Sequence, residues 1–180
     1  MDPLQLDHVP TEVEMLFTSE FALVVLFGIS VLEGTMMLRF MPSELVVPSA
    51  LLLIGSSVPD VIAIVAVVVV GTTVGQFLLF RLVRRAGRNY ILQKSWVPVT
   101  ESRLERVDGW FDRWGPVAVP VSNTMLFVRG LLTIPAGLSD MNGRTFVVLS
   151  VLGSLSFQSI LAALYLFVDY QFVLDNYLLV

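Results

Sequence analysis

Glu33, Arg39, Glu44 and Arg129 interrupt stretches that are otherwise apolar. Acids and bases in such surroundings can pair with one another, or they can exchange a proton and grip an anion. A charge at the bilayer centre costs roughly 2.5–3.5 kcal/mol on insertion scales, so each of the four needs a partner or a task. Glu44 lies in Pro42-Ser43-Glu44-Leu45-Val46-Val47-Pro48, at the predicted start of a helical segment, where a carboxylate also offsets the helix dipole. A carboxylate set between desolvation and a nearby arginine can load and release a coupling proton. Arg129 is flanked by Leu126-Phe127-Val128 and Leu131-Leu132. It either balances Glu33 or Glu44 or holds a lipid phosphate through its planar guanidinium. The two roles are compatible, because a phosphate can compete with a carboxylate for the arginine. Arg39 serves either role or snorkels to the outer headgroups.

The chain around these groups has 180 residues, of which 56% are hydrophobic and 14% charged. Soluble domains carry about 25% charged residues, so the deficit points to a single membrane domain over residues 1–180. There is no cysteine, which removes disulfides and thiolate-ligated metals, and His8 is the only histidine. A zinc site or a histidine-based triad is therefore not expected, and no cofactor is implied. The net charge of −4 argues against nucleic acid as a partner. Asp2, Asp7, Glu12, Glu14 and Glu20 make residues 1–20 a polar, acidic segment that lacks the basic start of a signal peptide.

Two segments are long enough to cross a bilayer outright, Val61 to Val83 and Thr145 to Val168; a span takes about 20 apolar residues. Two others are apolar but broken. Phe21 to Leu32 and Leu45 to Val58 are each too short, and Pro42 and Pro48 lie at or near the junction between them. Pro116 to Leu138 contains Arg129-Gly130 and Pro135. Broken backbone at membrane depth is tolerated only in protein or beside a wet cavity, so both regions read as re-entrant helical hairpins. The plainer alternative for Phe21 to Ser43 is one ordinary span containing Glu33.

Arg84 to Trp114 holds seven of the eleven basic residues, which places this stretch on the cytoplasmic side. The reading is then an all-α, multi-pass membrane protein of two inverted units. Residues 21–83 form a hairpin plus a transmembrane helix, and residues 116–168 form another of opposite orientation. Residues 84–115 link them, and residues 169–180 are a tail. Inverted repeats of broken helices are a recurrent transporter architecture. In the linker, Leu104, Val107, Trp110 or Phe111, and Trp114 recur at helical spacing, as an amphipathic helix in the membrane interface requires. Thr100 or Ser102 could cap its start, and Gly87-Arg88 is expected to end the helix before it. Gly71 and Gly75, four apart, suit close helix packing, as do Gly153, Ser154 and Ser156.

Several of these pieces resemble the DedA family, also called the VTT or SNARE-associated family. Pro42-Ser43-Glu44-Leu45-Val46-Val47-Pro48 is similar to its Pro-[Gly/Ser]-Glu segment. Gly71-xxx-Gly75 followed by Phe80-Arg81 and Gly87-Arg88 resembles its glycine-spaced helix. Phe111-Asp112-Arg113-Trp114-Gly115, then Arg129, Pro135-Ala136-Gly137, Met141 and Phe146, resembles its C-terminal signature. The resemblance implies paired re-entrant hairpins in a cell-membrane protein that moves polyprenyl phosphate or phospholipid between leaflets. Glu33 and Glu44 would carry the coupling proton or sodium ion, and Arg129 would bind the substrate phosphate, with Arg39 as a further cation. The family often has a second arginine six positions before Arg129 and a proline midway. Here Asn123 and Leu126 stand there, and Asn123 can still donate a hydrogen bond to a phosphate. Pro42, Pro48 and Pro135 mark the hairpin breaks. A homo-oligomer is compatible with this reading. The alternative from another class is a non-transporting scaffold or assembly factor whose charges are structural. An intramembrane enzyme would need a nucleophile and base, and the sequence offers no clear pair.

Overall fold

The computed structural model describes residues 21–38, 43–55, 57–93, 100–125 and 130–178, and the regular elements among them are all helices, without strands. Apolar runs become helices whose ends are set by local chemistry. Helix α1 (Ala22–Gly34) has 13 residues, about 20 Å at 1.5 Å per residue, too short to cross a bilayer. It ends where the Thr35 N–H bonds back to Val31 and Met36 turns to φ +62°. A 3-10 turn (Ser43–Leu45) leads into α2 (Val46–Ile54). Helix α3 (Val58–Leu92) starts on a local cap: Ser57 Oγ donates to Asp60 Oδ2 at 2.7 Å, and the Asp60 N–H points back to Ser57 Oγ. Then come α4 (Glu101–Trp114), a 3-10 turn (Gly115–Val117), α5 (Ala118–Asn123), α6 (Thr133–Leu138) and α7 (Gly143–Leu178).

Among the described residues, two helices are long and apolar enough to cross a membrane, over Val58–Tyr90 and Gly143–Gln171. Each of the two broken regions is a pair of shorter helices, α1 with α2 and α5 with α6. Pro48 and Pro135 are both the third residue of a second member, α2 and α6. An N–H there has no intrahelical acceptor, so these prolines open a helix rather than interrupt one. Pro42 lies outside the described residues.

The long helices run antiparallel. Phe80 stacks on Phe146 at 4.4 Å between centroids, Gln76 meets Ser150, and Ile64 and Val68 share an apolar cluster with Ala162. Helix α1 packs along α3, α5 along α7, α6 on α3, and α2 on both long helices. The first cluster joins Leu26 of α1, Val47 and Leu51 of α2, and Ile64 and Val68 of α3. The second places Val119 of α5 and Ala136 of α6 around Phe80 and Phe146.

Gly87, at φ +78°, ψ 173°, breaks the regular helix where the sequence reading expected an end, and a second helical piece runs on from the kink to Leu92. That conformation is open to glycine almost alone. Helix α7 continues past Val168 through the stretch expected to be a tail. The amphipathic helix is present as α4, with Leu104 and Val107 buried and Trp110 and Trp114 exposed. Thr100 is its N-cap, but its side chain makes no capping hydrogen bond. Arg88 ties α4 to α3 by pairing with Asp108 and lying 3.5 Å from Glu101, beside the packing of Leu104 on Leu79 and Val83.

Candidate functional site

The polar residues of the interior gather where short helices cross long ones. At the α1–α3 crossing the backbones nearly touch. A Cβ on Gly75 would fall 2.2 Å from the Val31 carbonyl oxygen, and one on Gly34 would fall 2.3 Å from that of Thr72. Gly71 is similarly close to Ser30. Small residues permit this approach, and it brings the end of α1 within side-chain reach of α3. There Thr72 Oγ1 donates to Glu33 Oε2 at 2.8 Å. Thr72 is fully buried, whereas Glu33 is half-buried.

The α5–α7 crossing is built on Gly153, where a Cβ would lie 2.8 Å from the Pro120 Cα and 2.7 Å from the Asn123 Cβ. Asn123, the last residue of α5, is 1% exposed. Its Oδ1 accepts from Gln76 Nε2 at 3.1 Å, and its Nδ2 donates to Gln76 Oε1 at 3.1 Å. Ser150 Oγ donates to the same Gln76 oxygen and lies 3.5 Å from Asn123 Nδ2. The Gly130 N–H also points at Asn123 Oδ1, at 3.4 Å. Asn123 thus ties α3, α5, α7 and the chain at Gly130 together. Gly130 has φ +76°, which glycine adopts without steric cost.

The turns of the two broken regions meet. A Cβ on Gly130 would be 3.1 Å from Met36 Cε, so the chain just beyond Glu33 packs on the residue that follows Arg129 in sequence. Arg129 and Arg39 lie outside the described residues. Glu44 sits in the 3-10 turn at the start of α2 and is half-buried. Glu33 and Asn123 therefore belong to neighbouring parts of one interior, joined through α3, where Thr72 and Gln76 are one helical turn apart.

Thr72, Gln76 and Ser150 escape sequence reasoning. The available signal was a lone glutamine and a run of hydroxyls inside segments otherwise apolar enough to span a bilayer, because an unpaired polar group is costly there. Beside the seam, Trp110, Trp114, Ala118, Val121, Met125 and Leu132 line an apolar recess of about 190 Å3. Ser122, its one polar lining residue, donates its hydroxyl to the Val119 carbonyl. Toward the C-terminal end of α3, Arg84 donates to the carbonyls of Ser139 and Met141 at 2.7 and 2.6 Å and covers the Phe80 ring. That arginine holds the turn between α6 and α7.

Comparison with known proteins identifies relatives by sequence. The chain is 27% identical over 143 residues to undecaprenyl phosphate transporter A of Staphylococcus aureus, covering 77% of this chain and 70% of that protein. It is 25% identical over 118 residues to undecaprenyl phosphate transporter A of Bacillus subtilis, covering 65% of this chain and 60% of that protein. It is also 27% identical over 86 residues to the uncharacterized membrane protein YbfM of Bacillus subtilis, of which it spans 53%. No solved structure matches it. The VTT domain matches residues 41–166, well over half of the chain, and with its two apolar long helices the protein belongs to the VTT-domain family of membrane proteins, also called DedA.

Proposed function

We propose that the protein carries a polyprenyl phosphate, or a lipid phosphate like it, between the leaflets of the cell membrane, with a proton or sodium ion coupled to the movement. The observation that carries this reading is the meeting of the two broken regions. Met36 packs on Gly130, which brings the segment holding Glu33 against the segment that begins just after Arg129. Glu33 and Arg129 are each close in sequence to that contact, and an acid and a base so placed suit exchange of a carboxylate partner for a substrate phosphate. Two relatives named undecaprenyl phosphate transporter A support the substrate class. In this reading the chain is a carrier and not an enzyme, crosses the membrane more than once, and has its arginine-rich stretch at 84–114 in the cytoplasm.

The residue roles follow from chemistry. Arg129 grips phosphate, and Arg39 is a second cation for it. Glu33 and Glu44 carry the coupling ion. Asn123 acts on the phosphate site by holding the Gly130 backbone through its own side chain. The broken regions are re-entrant hairpins in inverted units. The packing of α6 on α3 and of α2 on α7, each on the long helix of the other half, fits that arrangement.

The test is reconstitution into liposomes with a labelled polyprenyl phosphate and a reagent that reads its headgroup on one face. Arg129→Lys should lower transport at least tenfold, because an ammonium lacks the planar fork. Arg129→Leu combined with Glu44→Gln should restore the stability lost in Arg129→Leu alone, without restoring transport. Recovery of both would make the arginine structural and would favour the scaffold reading.

A further inference from the structure

Two buried hydroxyls, one on each long helix, are not part of the hydrogen-bonded seam. Thr73 is 6% exposed and Ser154 is fully buried, and among the described residues neither Thr73 Oγ1 nor Ser154 Oγ has a hydrogen-bond partner. A hydroxyl on an apolar helix has a local remedy, donation to the carbonyl four residues earlier. Ser30 takes it with Leu26 and Ser156 with Leu152. Thr73 and Ser154 do not, and a buried polar group left unpaired calls for an explanation.

The antiparallel register brings the two residues to neighbouring levels of α3 and α7. Phe80 stacks on Phe146, and four residues along each helix Gln76 meets Ser150. One further turn brings Thr72 level with Ser154, with Thr73 next to it. Both residues therefore lie at about one height, near the middle of the apolar stretch of each long helix. It is also the height of the Thr72–Glu33 hydrogen bond. Buried waters are held by two to four polar groups that would otherwise be unsatisfied, and hydroxyls can both donate and accept.

We propose that Thr73 and Ser154 together hold a water molecule between α3 and α7, at the level of the Glu33–Thr72 contact. The interior then contains a solvent molecule one helix away from the carboxylate, inside the interface that joins the two long helices. The site stands whether or not Glu33 carries a coupling ion, because its test does not use transport.

The full chain, labelled with 13C at serine and threonine, is placed in liposomes and examined by magic-angle-spinning NMR with transfer from water protons. Thr73 and Ser154 Cβ should receive magnetisation from water at short mixing times. Ser30, equally buried but bonded to Leu26, is the dry reference. Transfer to Thr73 should disappear in Ser154→Ala. Thermal stability gives an independent sign. If a water bridges the pair, Thr73→Val and Ser154→Ala each lower the melting temperature by about 2–4 °C, the shift that a loss near 1 kcal/mol produces in a domain of this size. The double variant should then lose less than the sum. No water transfer to either residue overturns the proposal. So does a rise in melting temperature in both single variants, since removing a dry, unpaired hydroxyl relieves a cost.

Discussion

The crossings of α1 with α3 and of α5 with α7 are built on the same plan and differ in one group. In each, a glycine of the long helix, Gly75 or Gly153, lets a short helix approach to backbone contact. In each, a hydroxyl three residues before that glycine, Thr72 or Ser150, meets a polar side chain at the end of the short helix. At the first crossing that side chain is the carboxylate of Glu33, half-buried. At the second it is the amide of Asn123, 1% exposed and bonded on both sides. A neutral amide can be buried completely once its hydrogen bonds are made, whereas a carboxylate in the same place would carry a heavy desolvation cost. One crossing is thus a locked joint. The other holds an ionisable group that keeps access to its surroundings.

Four substitutions would break or sharpen this contrast. The largest effect is expected where the two crossings agree. Gly75→Val drives a side chain into the Val31 carbonyl and the Gly34 backbone, and backbone cannot swing aside as a side chain can. The loss should exceed about 3 kcal/mol, at the upper end for overpacking, and appear as failed folding or a collapsed melting temperature. Gly28 of the same α1 has open space where its Cβ would be. Gly28→Ala should instead gain about 0.5–1 kcal/mol from helix propensity. Equal behaviour of the two variants would refute a backbone-contact crossing.

Asn123→Leu comes next, and it tests the locked joint. It leaves Gln76 Nε2 and the Gly130 N–H without their acceptor, at about 1–3 kcal/mol for each group stranded; Gln76 Oε1 keeps the Ser150 hydroxyl. A thermal melt should show the loss. Unchanged stability would mean that the amide pair is not what holds α3 to α5.

Glu33→Gln should have the smallest effect on stability. Its carbonyl can still accept from Thr72, so the change should stay within about 1 kcal/mol. Transport of a polyprenyl phosphate in liposomes should nevertheless fall to background, because the amide cannot take up or release an ion. Retained transport would give both crossings the same structural role and end the contrast.

Much of the architecture was legible before any coordinates. Length and apolar composition picked out both long helices, because a bilayer-spanning helix needs a run that few other structures require. Spacing found α4, since an amphipathic helix writes its buried face into every third or fourth residue, here Leu104 and Val107. Glycine spacing at Gly71 and Gly75 announced a close contact without naming its partner. Gly87 was legible as the end of the regular helix, whereas the helical conformation of the stretch beyond Val168 was not, because polar residues weaken a helix locally without deciding where it stops.

What the sequence determined by itself was therefore the class of protein and the segments available to build it, properties carried by neighbouring residues. Which polar groups meet was decided by the tertiary structure alone. Gln76 and Asn123 are 47 residues apart, and Thr72 and Glu33 are 39 apart. Nothing local pairs them. They are brought together because glycines allow particular helices to touch, and once apolar faces have closed around them, each buried donor has to find its acceptor among the groups enclosed with it.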